Sequence, residues 1–270
     1  MGSLGEPDRP RQPPLGLLMS EIKIFRSPGD VNNPRTFDFP TIQAMAKDSL
    51  LVRLVSSETY GQDFIDNFVA AGEDLVARGA VGIITSCGFL VLAQKELSRR
   101  LPVPVAASSL LQLPTIRTIL PPQQAIGVLT FDGSRLNGTH LNAIGIQDHS
   151  QIHIAGPPKD GYMKRYIRDG APYDFEALEA ELVATAHAHI KRHPDIGALV
   201  LECTQFPPFA YGLQQATKLP VYDVYTLGRW LYSAIVRTPF AQWTEEERME
   251  ANQQVPRTAR ELLEHGDSQN

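Results

Sequence analysis

The sequence has 270 residues, of which 43% are hydrophobic and 20% are charged, and its formal net charge is −5. These values are typical of a soluble globular protein and leave room for one large α/β domain or two small ones. No cluster of Lys and Arg stands out, no apolar run approaches the roughly 18 residues that span a bilayer, and no secretory signal is evident. We therefore expect a cytoplasmic protein whose partners include neither nucleic acid nor a membrane.

The first part of the chain predicts a polar tail followed by alternating strands and helices. Residues 1–13 are rich in proline and charge, which is typical of a disordered tail. The apolar run at 15–19 predicts a buried strand, and a long polar connection follows it. We predict a second strand at 50–55 and a helix at 64–77, where apolar residues recur with helical spacing.

The same alternation continues to the end of the chain. Further strands are predicted at 81–85, 103–106, 125–130, 152–155, 197–201 and 221–224. Further helices are predicted at 90–97, 110–120, from 134, at 175–191, 207–216 and 227–236, and from 245 onward. Asp174 precedes the 175–191 segment as a predicted N-cap.

Regular alternation of strands and helices predicts an α/β fold with parallel sheet and helices packed outside it. Roughly eight strands fit either one eight-stranded barrel or two doubly wound lobes of four strands each. The pattern alone leaves both architectures open. In both, functional side chains belong at the carboxyl ends of the strands. No Gly-x-Gly-x-x-Gly motif and no phosphate-binding loop follows any strand, which argues against a dinucleotide enzyme.

The two cysteines of the sequence occupy matching local settings. Cys87 and Cys203 each follow a short apolar strand, precede a predicted helix, and lie at a similar distance from a later Leu-Pro pair. A helix N-terminus favours thiolate, so we expect both thiols to have lowered pKa values. The alternatives are two small buried hydrophobic residues or, less favoured in a reducing compartment, a disulfide.

These motifs resemble the aspartate/glutamate racemase superfamily. The likeness rests on Cys87 five residues after Gly82, on the turn ending at Thr130, and above all on the run 201–208 around Cys203. The superfamily includes amino acid and hydantoin racemases, maleate cis–trans isomerases and arylmalonate decarboxylases. The resemblance implies two pseudo-symmetric α/β lobes with parallel four-stranded sheets and an active site in the cleft between them.

The resemblance also implies domain boundaries. The first lobe is placed at 14–117 plus 221–248 and the second at 118–220, and a C-terminal helix or tail occupies 249–270. A homo-oligomer is implied as well, although no interface stripe is evident in the sequence.

The resemblance implies a cofactor-independent racemase or epimerase with two bases. Cys87 and Cys203 would remove and return a proton at a carbon α to the carboxylate or carbonyl of a small molecule. Neither a cofactor nor a metal is expected, and the cluster of His187, His189 and His193 is assigned to the end of a solvated helix rather than to a metal site. Alternatives are a maleate-type cis–trans isomerase with a cysteine nucleophile, a decarboxylase, which needs one cysteine only, and a non-catalytic small-molecule binding module.

Substrate-binding residues are predicted from the strand ends and the loops that follow them. They are Asn33, Gly88, Phe89, Thr130, Phe131, Thr204 and Gln205. Racemases of this type carry Asn-Thr after the first cysteine and often His after Cys-Thr, whereas this chain has Gly88-Phe89 and Gln205. We therefore expect a substrate other than free aspartate or glutamate.

Overall fold

The structure is a computed structural model that describes residues 12–240 and 242–253. Of the predicted tail at 1–13, residues 1–11 lie outside the described residues. Residues 254–270 of the predicted C-terminal segment also lie outside them.

The first sheet is parallel and has the strand order β2-β1-β3-β4. Its strands are β1 (Leu15–Met19), β2 (Thr41–Met45), β3 (Ile83–Thr85) and β4 (Val105–Ala106). The central strand β1 is buried at every position, as its uninterrupted apolar sequence predicts. The helices of this part are α1 (Leu51–Leu54), α2 (Gln62–Ala77), α3 (Gln94–Arg100) and α4 (Leu113–Ile119), with 3₁₀ segments at Gly88–Ala93 and Ser109–Gln112.

The predicted strand at 50–55 is wrong. The second strand is β2, and residues 51–54 form the short helix α1. Leu51 and Leu54 have helical spacing and Leu54 is buried, whereas Val52 between them is 83% exposed. The run is therefore apolar on one helical face only. The sequence of β2 is harder to recognise because this edge strand is only partly buried.

The second sheet is also parallel and has the order β6-β5-β7-β8. Its strands are β5 (Ala125–Leu129), β6 (Ile152–Ala155), β7 (Ile196–Leu201) and β8 (Val221–Tyr222). The accompanying helices are α5 (Gly138–Ala143), α6 (Tyr162–Asp169), α7 (Phe175–Arg192) and α8 (Ala210–Thr217), with a 3₁₀ turn at Pro207–Phe209. The predicted N-cap of α7 is confirmed, because the Asp174 carboxylate accepts a hydrogen bond from the Ala177 amide at 3.0 Å.

The two sheets repeat the same strand order, so the predicted pair of doubly wound lobes is confirmed and the barrel is excluded. Within this order β3 and β7 occupy equivalent positions, each beside the first strand of its sheet. The cysteines follow these two strands. The repeated strand–cysteine pattern of the sequence therefore corresponds to two sheets with the same topology.

The last helix of this unit, α9 (Val224–Ile235), packs on the first sheet although it follows β8 of the second. Its residues Leu227 and Leu231 share a buried cluster with Leu17 and Ile84 of β1 and β3. The Tyr232 hydroxyl donates a hydrogen bond to the Pro13 carbonyl at 2.8 Å. The lobe boundaries proposed from the sequence remain a prediction.

Residues from 237 onward form a second unit, whose described part contains the helix α10 (Glu245–Gln253). Within residues 12–240 and 242–253, no helix combines the length and apolar character required to cross a membrane.

Candidate active site

Cys87 and Cys203 line the same small cavity, which has a volume of about 30 Å³. Its inner wall consists of two four-residue stretches, 86–89 after β3 and 202–205 after β7. Each stretch follows the carboxyl end of an inner strand of its own sheet, and both stretches line the same cavity. The cysteines are free thiols and both are buried.

One hydrogen bond joins the two cysteine loops directly, because the Thr204 hydroxyl donates to the Ser86 carbonyl at 2.5 Å. Two others tie each loop to its own sheet. The Ser86 hydroxyl accepts from the Ser20 amide at 2.9 Å, and the Glu202 amide donates to the Leu129 carbonyl at 2.8 Å. Buried hydrogen bonds of this kind are costly to break, so they stabilise the arrangement of the two loops.

A set of apolar side chains lines both this cavity and a larger outer cavity of about 680 Å³. They come from five separate segments of the chain: Ile22, Leu51, Val55, Phe131 and Ile167. We call this set the apolar ring. It separates the cysteines from solvent and from the charged side chains of the outer cavity, such as Lys23 and Arg135.

The expected lowering of the cysteine pKa values is wrong. Burial and the neighbouring Glu202 carboxylate raise the pKa of Cys87 to about 12, and the same causes raise that of Cys203 well above its usual value. A long α-helix does not follow either cysteine. The segments that do are 3₁₀ helices of six and three residues, which supply only a few oriented amides. Both cysteines are therefore thiols in the unliganded protein.

The two cysteines differ in the number of backbone amides that favour the thiolate form. The backbone N–H groups of Phe89 and Leu90 both oppose the rise in the pKa of Cys87. Only the Gln205 amide does so for Cys203. The Cys87 sulfur therefore has two favourable amides where the Cys203 sulfur has one.

Glu202 is a buried carboxyl group between the cysteine loops, and the sequence-based prediction did not include it among the site residues. Its side chain is 1% exposed, and its Oε2 accepts a hydrogen bond from the Thr130 hydroxyl at 2.6 Å. Its Oε1 has no hydrogen-bond partner among the described residues. Burial raises the pKa of Glu202 to about 7, although the Thr130 hydroxyl and the Phe131 amide oppose the rise.

Five of the seven predicted binding residues lie in the cavity lining: Gly88, Phe89, Phe131, Thr204 and Gln205. Thr130 is not part of the lining, but its hydroxyl donates a hydrogen bond to the lining residue Glu202. Asn33 is not part of the lining, because its side chain serves a turn. Its Nδ2 donates to the Arg26 carbonyl at 2.7 Å and its Oδ1 accepts from the Arg35 amide at 2.8 Å.

Glu202 could have been found from the sequence, because an acidic residue directly after a fully apolar strand is exceptional. The other missed lining residues are Ile22, Leu51, Val55, Ser86 and Ile167. Ser86 directly precedes Cys87, whereas the four apolar residues come from loops and short helices that give no such signal.

A histidine cluster lies elsewhere, near the amino ends of β6 and β7. The rings of His153 and His193 stack with their centroids 3.9 Å apart, and His153 Nε2 lies 3.2 Å from Asp195 Oδ2. The ligand atoms of these three residues lie within 4.8 Å of one another. Nearly parallel stacked rings direct their nitrogen lone pairs along separate planes, so this arrangement does not converge on a single ion.

Gly88 is required by the close approach of the two loops. A Cβ at this position would overlap both the Glu202 carbonyl oxygen and its Oε1. We expect Gly88→Ala to lower the free energy of unfolding by about 1–3 kcal/mol, as overpacking of a close contact does. Urea denaturation of the variant and the wild type would measure the difference, and equal stabilities would contradict the described contact.

The fold is that of known superfamily structures. An unliganded arylmalonate decarboxylase matches 83% of this chain and 92% of its own with a TM-score of 0.55 and 15% identity. A glutamate racemase of Bacillus anthracis matches 84% and 85% with a TM-score of 0.54 and 12% identity. The fold that the resemblance implies is thereby confirmed. No family model matches the sequence.

Sequence relatives point to a particular activity. A dimethylsulfoniopropionate lyase of Durusdinium sp. clade D is 29% identical over 229 residues, which cover 83% of this chain and 76% of that protein. Dimethylsulfoniopropionate lyase 5 of Emiliania huxleyi (strain CCMP1516) is 28% identical over 235 residues. That match covers 84% of this chain and 46% of the relative, so the chain spans less than half of that protein.

These relatives correct the predicted function. The prediction of a racemase or epimerase is wrong, because the sequence relatives are lyases. The coarser prediction of an enzyme is supported, since both the sequence relatives and the structural neighbours are enzymes. Catalytic roles for the two cysteines remain predictions.

Proposed function

We propose that the protein is a lyase that cleaves dimethylsulfoniopropionate, or a closely similar sulfonium carboxylate, by β-elimination. The names of the sequence relatives support the substrate, and the fold supports chemistry at a carbon next to a carboxylate. The observation that carries the proposal is the cavity lining. It combines two thiols and a carboxyl group and, among the described residues, contains no Lys, Arg or His. Such a lining suits a substrate that brings its own positive charge.

The proposed reaction begins with proton transfer to a cysteine. The Cys87 thiolate takes a proton from the carbon next to the substrate carboxylate, and that electron pair forms a carbon–carbon double bond. The bond between the β carbon and sulfur breaks, and its electrons remain on sulfur. The products are acrylate, neutral dimethyl sulfide and one proton, held at first by Cys87. No general acid is needed because the leaving group departs uncharged.

The substrate also explains how a thiol with a pKa of about 12 becomes a base. A sulfonium cation inside a buried cavity favours negative charge on its neighbours, and this attraction is stronger than in water because the cavity has a low dielectric constant. Binding of the substrate thus lowers the pKa of Cys87. The two amides of Phe89 and Leu90 add to this effect and support Cys87 rather than Cys203 as the base. The thiol proton of Cys87 passes to solvent before the elimination. Cys87 is a thiol again once it has taken the substrate proton, so one proton is released in each cycle.

The substrate carboxylate is assigned to the opposite loop. The side-chain amide of Gln205 lines the cavity and makes only a long contact, 3.4 Å, with the Thr204 hydroxyl. This amide can donate to a carboxylate oxygen and to the charge that develops on it as the proton leaves.

The test is incubation of the purified protein with dimethylsulfoniopropionate. We expect dimethyl sulfide in the headspace by gas chromatography and an equal amount of acrylate by proton NMR. The Cys87→Ala/Cys203→Ala double variant serves as the control and should release neither. Formation of 3-hydroxypropionate instead of acrylate would indicate hydrolysis and contradict the elimination, and absence of both products would reject the proposed activity.

A further inference from the structure

We propose that Glu202 is the group that recognises the positive centre of the substrate, so that the cavity selects compact onium carboxylates over carboxylates of the same shape that have uncharged carbon at that centre. This inference deepens the proposed function and rests on it for the natural substrate. Its central claim, a preference for a cationic ligand, concerns binding and can be tested without turnover.

The first argument is the unsatisfied oxygen of Glu202. Buried carboxyl groups in proteins are normally hydrogen-bonded at both oxygens or paired with a cation. Oε2 has the Thr130 hydroxyl, but Oε1 is buried and has no hydrogen-bond partner among the described residues. A purely structural role would be served by Oε2 alone. An onium group in the cavity would provide the missing electrostatic partner for Oε1.

The second argument is the position of Oε1 in the cavity. Glu202 lines the cavity together with both cysteines, and Oε1 lies against Gly88, the residue after Cys87. A side chain at position 88 would occupy the space beside Oε1. The carboxylate is thus placed on the second lobe and directed at the loop of the first, where a ligand between the cysteines would lie.

The third argument is the charge and aromatic character of the walls. Phe89 and Phe131 line the cavity, and aromatic faces attract onium cations. The nearby cation Lys164 lies 4.3 Å from the centre of the Phe131 ring but is paired with Asp132 at 3.2 Å. Its charge is therefore largely compensated outside the cavity, and Glu202 remains without a cationic partner among the described residues.

The experiment compares two ligands that differ in charge but not in shape. These are 3-(trimethylammonio)propanoate, which carries an onium nitrogen, and 4,4-dimethylpentanoate, which has carbon in its place. Calorimetry at pH 8 should show that the wild-type protein binds the onium ligand at least about tenfold more tightly. Glu202→Gln keeps the shape of the side chain and should bring the two affinities to within about twofold of each other.

Two further variants make the result specific. Glu202→Asp keeps the charge but withdraws it and should give an intermediate preference. Glu21→Gln, which removes a carboxylate from the outer cavity, should retain the wild-type preference. Circular dichroism melts confirm that each variant is folded. If Glu202→Gln is not folded, Glu202→Asp takes its place, because a wild-type preference alone could also come from the aromatic walls.

The inference is overturned if the wild-type protein binds both ligands equally, if neither binds at 10 mM, about the weakest affinity of interest, or if Glu202→Gln keeps the preference. A Glu202-dependent preference without release of dimethyl sulfide from dimethylsulfoniopropionate would support the inference and reject the lyase. Release of dimethyl sulfide without such a preference would support the lyase and reject the role of Glu202.

Discussion

Replacement of Cys87 by serine should reduce kcat/KM for dimethyl sulfide release by at least about a thousandfold, because a serine hydroxyl is far too weak an acid to supply the proposed base. The Cys203→Ser variant should lose less, about tenfold, since Cys203 is assigned no proton transfer. The asymmetry rests on the two amides that favour the Cys87 thiolate against one for Cys203. Initial rates by gas chromatography would measure both variants.

The matched pair provides its own control. Both substitutions replace one buried sulfur by oxygen at equivalent strand ends, so their effects on stability should be similar. Thermal melts would check this. If Cys203→Ser were the inactive variant and Cys87→Ser retained activity, the assigned roles would have to be exchanged. Full activity in both would remove the cysteines from the mechanism.

Replacement of Glu202 by glutamine should make the protein more stable above pH 7. The native state holds the Glu202 proton more tightly than the unfolded chain, because the pKa rises from 4.5 to about 7 on folding. The free energy of unfolding of the wild type must therefore fall as the pH rises from about 4.5 to about 7. The difference between these pKa values corresponds to a loss of about 3 kcal/mol above pH 7. Glutamine does not ionise, so the variant keeps this part of its free energy of unfolding above pH 7.

Urea denaturation of both proteins at pH 4 and pH 8 would measure this effect. The two should have similar stabilities at pH 4, whereas at pH 8 the variant should be more stable by up to about 3 kcal/mol. Asp223, whose pKa burial raises to about 6, contributes a similar pH dependence to both proteins and cancels in the comparison. The Cys203→Ser variant should follow the wild type. Parallel curves for Glu202→Gln and the wild type would contradict the buried, protonated carboxyl.

Most of the fold was predictable because its strands are short apolar runs between helices with regular spacing. The run 196–201 is buried throughout and ends at Glu202 and Cys203, so the sequence placed the second cysteine correctly at a strand end. The edge strand β2 gives little signal in the sequence because it is only partly buried and lacks a continuous apolar run. The sequence of α1 favours a strand, since four residues are too few to reveal helical periodicity.

The chemical state of the site was less predictable than its location. Strand–cysteine–helix patterns suggested thiolates, but the pKa of a thiol depends on burial and on neighbouring charges, which only the folded chain provides. The apolar ring could not be predicted from the sequence either, since its five members come from distant segments and meet only in the folded chain. The proposal of a lyase instead of a racemase rests on the sequence relatives and not on any motif of the sequence.

The apolar ring has a consequence for the proposed turnover. The inner cavity of about 30 Å³ holds little more than a water molecule or two, so the ring must part to admit a substrate of eight heavy atoms. Once closed, it keeps bulk water away from the Cys87 thiolate and the substrate during the proton transfer. The two proposed products then leave differently. Dimethyl sulfide is uncharged and passes hydrocarbon side chains readily, whereas acrylate must carry its charge across them, so we expect departure of the anion to be the slower of the two.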